Sequence, residues 1–227
     1  MAETSLKDGI RLYKGGDYEG SLVALLSVPA GNPGNNLELA YYIGLCYARL
    51  ERYDDSLVYL EQVVTADTDL ARVYQCRMLL SVIYSLTGRT RLADFELKKL
   101  IDSGYESTQV FCSLGFIAWE HTNAEEAVSW YEKALALDAN NPTALNGLGY
   151  VLADVGRDLT KALTLCKKAN DLDPDNPAYL DSLGWVYYKL GLDMEAKTYT
   201  RRARERMPGN SVISGHLGEI LGQRSAL

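Results

Sequence analysis

The chain has 227 residues, of which 47% are hydrophobic and 23% charged, and it carries a net charge of −7. That balance describes a soluble globular chain, long enough for one large domain or two small ones. The acidic excess argues against nucleic acid, whose affinity rests on Lys and Arg neutralising phosphates. Four cysteines, Cys46, Cys76, Cys112 and Cys166, form no CxxC pair, His121 and His216 form no local metal motif, and no run approaches the roughly 18 apolar residues of a membrane span.

In chain order, the opening "MAETSLKDG" lacks the apolar core of a signal peptide. As the sequence stands the expected compartment is the cytoplasm; removal of an upstream signal would make it periplasmic or envelope-associated. Gly9 then interrupts the first helical run. The same interruption recurs at Gly44, Ser81, Gly115, Gly149, Gly184 and Gly218, at spacings of 35, 37, 34, 34, 35 and 34 residues. A glycine inside a helix costs about 1 kcal/mol relative to alanine, so its regular return marks a repeat in which something requires the missing side chain. A second small residue follows each time about twelve positions later: Ser21, Ser56, Ala93, Ala127, Ala162 and Ala196. Small residues at matched points of successive helices predict a close crossing, which a larger side chain at Gly184 would overpack at a cost of about 1–3 kcal/mol.

The helix ends agree with this register. The N-cap is expected eight residues before each small position, at Asn36, Val73, Ser107, Asn141, Asn176 and Asn210. Five of the six are Asn or Ser, whose side chains accept from free first-turn N–H groups, and Pro142 and Pro177 take the favoured first helical position. Gly16, Gly88, Gly156 and Gly191 mark turns within helix pairs, Pro174 and Pro208 close second helices, and "VPAGNPGNN" reads as a connector.

On these residues the chain resembles the tetratricopeptide-repeat (TPR) family, of bacterial type, along nearly its whole length. The last full repeat carries Leu180, Leu183, Gly184, Tyr187, Ala196, Ala203 and Pro208, with Leu180 for the usual Trp and Thr200 for the usual aromatic. The two before it carry Leu145, Leu148, Gly149, Ala162, Ala169 and Pro174, and Phe111, Leu114, Gly115, Ala127, Tyr131 and Ala134. The first half departs: Val28, Val63 and Leu100 fill a position that is normally small, and Asp8 and Arg77 stand at normally apolar sites. Repeat one is therefore expected to be a frayed cap, and repeats two and three to pack at altered angles.

The resemblance implies an all-α fold, a right-handed superhelical solenoid of antiparallel helix pairs forming a single domain over 1–227. Its six repeats fall at about 2–36, 37–73, 74–107, 108–141, 142–176 and 177–210, followed by a capping helix at 211–224. In that cap Val212, Ile213, Leu217, Ile220 and Leu221 are expected to cover the last repeat, while His216, Glu219, Gln223 and Arg224 face water.

Catalytic motifs are lacking: there is no phosphate loop, no HExxH, no GxSxG and no GxGxxG after a strand. Asp171, Asp173 and Asp175 in an inter-repeat turn read as solvated complements of a helix N-terminus, and Lys197, Arg201, Arg202, Arg204 and Arg206 as a solvated helix face. The chain is expected to be non-catalytic, with no cofactor, no metal, no nucleic-acid partner and no direct membrane insertion.

In the family, the first helices of successive repeats line a concave surface. The resemblance carries that surface onto Tyr41, Leu45, Met78, Val82, Cys112, Phe116, Trp119, Asn146, Tyr150, Asp181, Trp185 and Tyr188. Of these, Tyr41, Phe116, Trp119, Asn146, Tyr150, Asp181, Trp185 and Tyr188 are the candidate partner-binding residues. Trp and Tyr bury much area with little entropy to lose, and Asn146 and Asp181 suit hydrogen bonding to a peptide. The competing expectation for the same aromatics is packing between repeats. The Lys, Asn and Arg set of a carboxylate clamp is missing, which argues against a chaperone-tail adaptor. The expected function is a scaffold holding a peptide or helix of a partner protein in an aromatic groove. The alternative is a self-assembling or complex-assembly protein that uses the solenoid ends or convex face, as in a homo-oligomer.

Overall fold

The structure, a computed structural model, describes residues 5–29, 31 and 33–222. Among the described residues there are thirteen α-helices and no strand, and no helix is long and apolar enough to cross a membrane. The chain forms two compact units, one ending at Tyr105 and the other beginning at Glu106. The first holds α1 (Leu6–Lys14), α2 (Tyr18–Leu26), α3 (Pro33–Arg49), α4 (Tyr53–Ala66), α5 (Leu70–Leu86) and α6 (Thr90–Asp102). The second holds α7 (Thr108–Glu120), α8 (Ala124–Leu137), α9 (Pro142–Asp154), α10 (Leu159–Leu172), α11 (Pro177–Lys189), α12 (Asp193–Arg206) and α13 (Ser211–Ile220). Within each unit consecutive helices pair, each pair packs on the next, and the first helices also meet one another: α1 with α3 and α3 with α5, then α7 with α9, α9 with α11 and α11 with α13.

The pairs close where the small residues predicted. A Cβ on Gly184 would meet the Thr200 hydroxyl and lie 3.0 Å from the Thr200 backbone nitrogen and 3.2 Å from the Ala196 carbonyl. Gly149 is equally confined, with the Ala162 carbonyl at 3.0 Å from the built Cβ. At Gly9 and Gly44 the obstruction is the side chain of Leu25 and of Leu60, and the nearest backbone atoms stand back at 3.5 and 3.4 Å. The second small residue does more than leave room in the first unit. The Ser21 hydroxyl donates to the Gly9 carbonyl and the Ser56 hydroxyl to the Gly44 carbonyl, both at 2.8 Å across the pair. Alanine takes over from Ala93 onward, buried without a polar atom.

Four of the predicted N-caps are observed: Ser107, Asn141, Asn176 and Asn210 each accept from a first-turn N–H. The other two differ. Helix α3 starts at Pro33, and Asn36 lies inside it, its side chain accepting from the Gly31 N–H at 2.8 Å and donating to the Gly31 carbonyl. Helix α5 starts at Leu70, because Asp69 accepts from the N–H groups of Ala71 and Arg72 and captures the helix start a turn before Val73. Both helices consequently run to 17 residues, against 13 for α7, α9 and α11.

Repeat one is not frayed. Asp8 and Ser5 form a reciprocal capping box on α1, and Leu6 and Tyr13 pack on a core of Leu22, Leu25, Ile43, Cys46 and Tyr47. Arg77 is tolerated on the inner side of α5 because its guanidinium pairs with Glu96 of α6, both side chains being largely buried. Burial pushes the Glu96 carboxyl up, with Arg77 pulling it back down.

The turn glycines Gly16, Gly88, Gly156 and Gly191 all lie at φ between +68° and +84°. In repeats two and four the same turn position is held by Glu51 at +58° and Thr122 at +59°. A β-branched side chain is strained there. Thr122→Gly is therefore expected to stabilise the protein by about 1 kcal/mol, read as a rise in thermal midpoint, whereas Gly191→Thr lowers it. Alanine at Gly184 or Gly149 is expected to cost more in urea unfolding than alanine at Gly9 or Gly44, since backbone atoms yield less than a leucine side chain; a reversed order would refute the account of the crossing.

Candidate functional site

The first helices of the second unit bring together a polar and aromatic cluster. On α11, Asp181, Trp185 and Tyr188 are spaced to share one face, as are Asn146, Tyr150 and Asp154 on α9. Trp119 of α7 meets Tyr150 edge to face, with ring centroids 5.8 Å apart. His216 of α13 sits at the centre. Its Nδ1–H donates to Asp181 Oδ2 at 2.7 Å, its Nε2 is 3.4 Å from the Tyr150 hydroxyl, and its ring stacks on Trp185 at 4.2 Å and 22°. The Trp185 indole N–H donates to Asp154 Oδ1 at 2.8 Å. Lys189 lies over the Trp185 ring at 4.7 Å and 4.0 Å from Asp154, and Tyr188 tilts against Trp185 at 5.3 Å.

This arrangement revises the expected groove. Trp185 and Asp181 are buried, at 4% and 5% exposure, because α13 lies against α11 and His216 covers both. His216, expected in water, is largely buried, while Val212, expected to cover the last repeat, is 57% exposed. Ile213, Leu217 and Ile220 cover the last repeat as expected, all buried, with Ile213 packed on Leu180, Ala203 and Tyr199, and Leu221 is partly exposed. Glu219 is exposed as expected; Gln223 and Arg224 lie outside the described residues.

Of the remaining candidates, Phe116 is 50% exposed and Trp119, Asn146, Tyr150 and Tyr188 are partly exposed. Asn146 Oδ1 and Asp181 Oδ1 are both enclosed and have no hydrogen-bond partner among the described residues. Burial pushes the Tyr150 phenol up, and the nearby carboxylates of Asp154 and Asp181 push it further. Tyr41 belongs to the first unit, where its hydroxyl donates to Gln75 and its ring meets Tyr42 edge on. Burial holds its phenol up to about 12. The structure thus gathers seven of the eight candidates in one unit and leaves Tyr41 in the other.

Asp154, His216 and Lys189 escaped the sequence reading as members of the cluster. Asp154 follows Tyr150 by one turn and was legible as its neighbour on the same face. His216 carries no motif, but one repeat earlier the same register holds Ser182, itself buried, so the repeat alignment held the signal. The cysteines offer this face no reactive thiol. All four are buried, and burial raises the thiols of Cys76 and Cys166 to about 12 and that of Cys112 to about 11, far from nucleophilic at neutral pH. Among the described residues no group of three His, Cys, Asp or Glu is placed to hold a metal ion.

Comparison with known proteins fits the repeat geometry. A family model described as TPR repeat matches residues 123–156, and one described as tetratricopeptide repeat matches residues 38–68. A search of curated proteins finds no match. Among solved structures, YrrB, described as a TPR protein with an unusual peptide-binding site, is similar at 18% identity and TM-score 0.59, over 80% of this chain and 91% of that one. MamA is similar at 23% identity and TM-score 0.63, over 77% and 93%. A tetratricopeptide repeat protein from Parabacteroides merdae is similar at 13% identity and TM-score 0.71, over 95% and 97%. At these identities the structural likeness speaks to the fold.

Burial separates the roles of neighbouring aromatics. Trp185→Ala is expected to lose about 3–5 kcal/mol of stability in denaturant unfolding, while Tyr188→Ala, on the partly exposed side of the same helix, loses less than half of that. Equal losses would mean that Tyr188 too is a core residue.

Proposed function

We propose that this chain, which belongs to the tetratricopeptide-repeat family, is a non-catalytic scaffold that binds a peptide or helix of a partner protein on the first-helix face of its second unit. The observation that carries this reading is the exposure of Phe116, Trp119, Tyr150 and Tyr188 beside a set of neighbours locked in place by hydrogen bonds and stacking. Rigid aromatics with one open side lose little entropy on binding, which is the property of interface anchors. The likeness to YrrB, described as having a peptide-binding site, supports a peptide as the class of ligand. In the first unit, Tyr41, Leu45 and Met78 are partly exposed and Val82 is exposed on the corresponding helices, and they offer a second, separate surface of the same kind.

The test is capture of partners from a lysate of the source organism by the wild-type chain, by Phe116→Ala/Tyr188→Ala, and by Met194→Ala as a control on α12. The reading expects a partner kept by wild type and control and lost by the double variant with helicity unchanged. Equal capture by all three would move binding off this face.

A further inference from the structure

We infer that α13 is a displaceable occupant of this face, and that the partner which displaces it anchors through an arginine set against Asp181 and Trp185. The inference rests on the reading that the first-helix face of the second unit is the binding surface.

Three observations converge on it. First, α13 already engages that surface: His216 touches Tyr150, Asp181 and Trp185, three of the residues expected to meet a ligand. Second, the imidazole satisfies Asp181 only in part. It reaches Oδ2, while Oδ1 stays enclosed without a partner among the described residues, on a side chain that is 7% exposed. A buried acceptor left unpaired is a standing penalty, and whatever supplies the second donor gains by it. Third, the surroundings favour a cation: Asp181 bears its carboxylate on the covered face, and Asp154, bonded to the Trp185 indole and 4.0 Å from Lys189, is a second carboxylate in the same cluster.

The chemistry then selects among side chains. The occupant must be flat enough to lie on the Trp185 ring, where the imidazole now stacks, and must present two donors to one carboxylate. A guanidinium does both: its planar fork binds a carboxylate through two parallel N–H bonds, and it stacks on aromatic faces. A lysine supplies the charge without the plane or the fork, and a histidine supplies the plane with one donor. A partner helix bearing arginine between apolar residues would place the guanidinium on Asp181 and the apolar residues on Trp119, Tyr150 and Tyr188. The exchange is feasible because α13 has ten residues; a helix of that length has little stability of its own and holds its place by packing.

The chain itself can report on the site. His216→Arg places a guanidinium where the imidazole lies, so its thermal midpoint is expected to rise above wild type, and that rise should vanish when Asp181→Asn is added. An unchanged or lower midpoint overturns the inference. Binding is then read by fluorescence anisotropy on the full chain with a capped helical peptide carrying one arginine among leucines, and with twins carrying citrulline or lysine. The arginine peptide is expected to bind about tenfold more tightly than the citrulline twin, as fits a charge-assisted bidentate bond. It should bind more tightly still to His216→Ala and to the milder His216→Gln, and hardly at all to His216→Arg. Equal binding of the arginine and citrulline peptides overturns the arginine anchor while leaving the aromatic face as the binding surface. Binding to His216→Arg at wild-type strength overturns displacement of α13. The aromatic face itself fails on separate grounds, if Phe116→Ala/Tyr188→Ala captures partners as wild type does.

Discussion

Everything in this molecule depends on how closely the two helices of a pair can cross. The crossing is set by Gly9, Gly44, Gly115, Gly149 and Gly184, each of whose absent side chains would run into the helix that follows. Dense packing makes such a contact unforgiving, since interiors have little slack to absorb an added methyl group. The partner residue adapts to the space. Thr200 lies against Gly184, Cys166 against Gly149, and the Tyr131 ring against both Gly115 and Gly147. The crossing is therefore kept while its filling changes from pair to pair. Ser81, the one departure from glycine, turns its hydroxyl back to the Met78 carbonyl at 2.7 Å and so satisfies its polar atom within its own helix.

With the crossings fixed, the first helices present their remaining side to one another and to solvent, and chemistry concentrates there. In the second unit this side carries Trp185 bonded to Asp154, His216 bonded to Asp181, and Tyr150 between His216 and Trp119. Polar atoms enclosed by aromatic rings are costly unless paired, so the orphaned oxygens of Asn146 and Asp181 stand out against the satisfied bonds around them. The first unit solves the same problem differently. There, Arg77 and Glu96 neutralise each other inside a pair, and Tyr84 donates to Glu61, which ties these polar groups to the structure.

How much of this was legible beforehand follows from the range of each interaction. Caps at Ser107, Asn141, Asn176 and Asn210 are decided within three residues, and a sequence states them directly. The starts of α3 and α5 were misplaced because competing local signals, Pro33 and Asp69, lay a turn upstream of the register that the repeat imposed. The aromatic face was legible as a set of positions, since helical periodicity and the repeat place Phe116, Trp119, Tyr150, Trp185 and Tyr188 together. Which of them remain open was not.

By itself, then, the sequence determined that the helices pair and where the crossing glycines fall, because those depend on neighbours within one repeat and recur with its period. Only the tertiary structure decided that Trp185 and Asp181 are covered and that His216 is what covers them. That contact joins residues 35 positions apart on helices of different repeats, and it turns on the side of α13 that packs inward. Periodicity fixes which residues share a helix face. It leaves open which neighbour the face meets, and that is settled by packing.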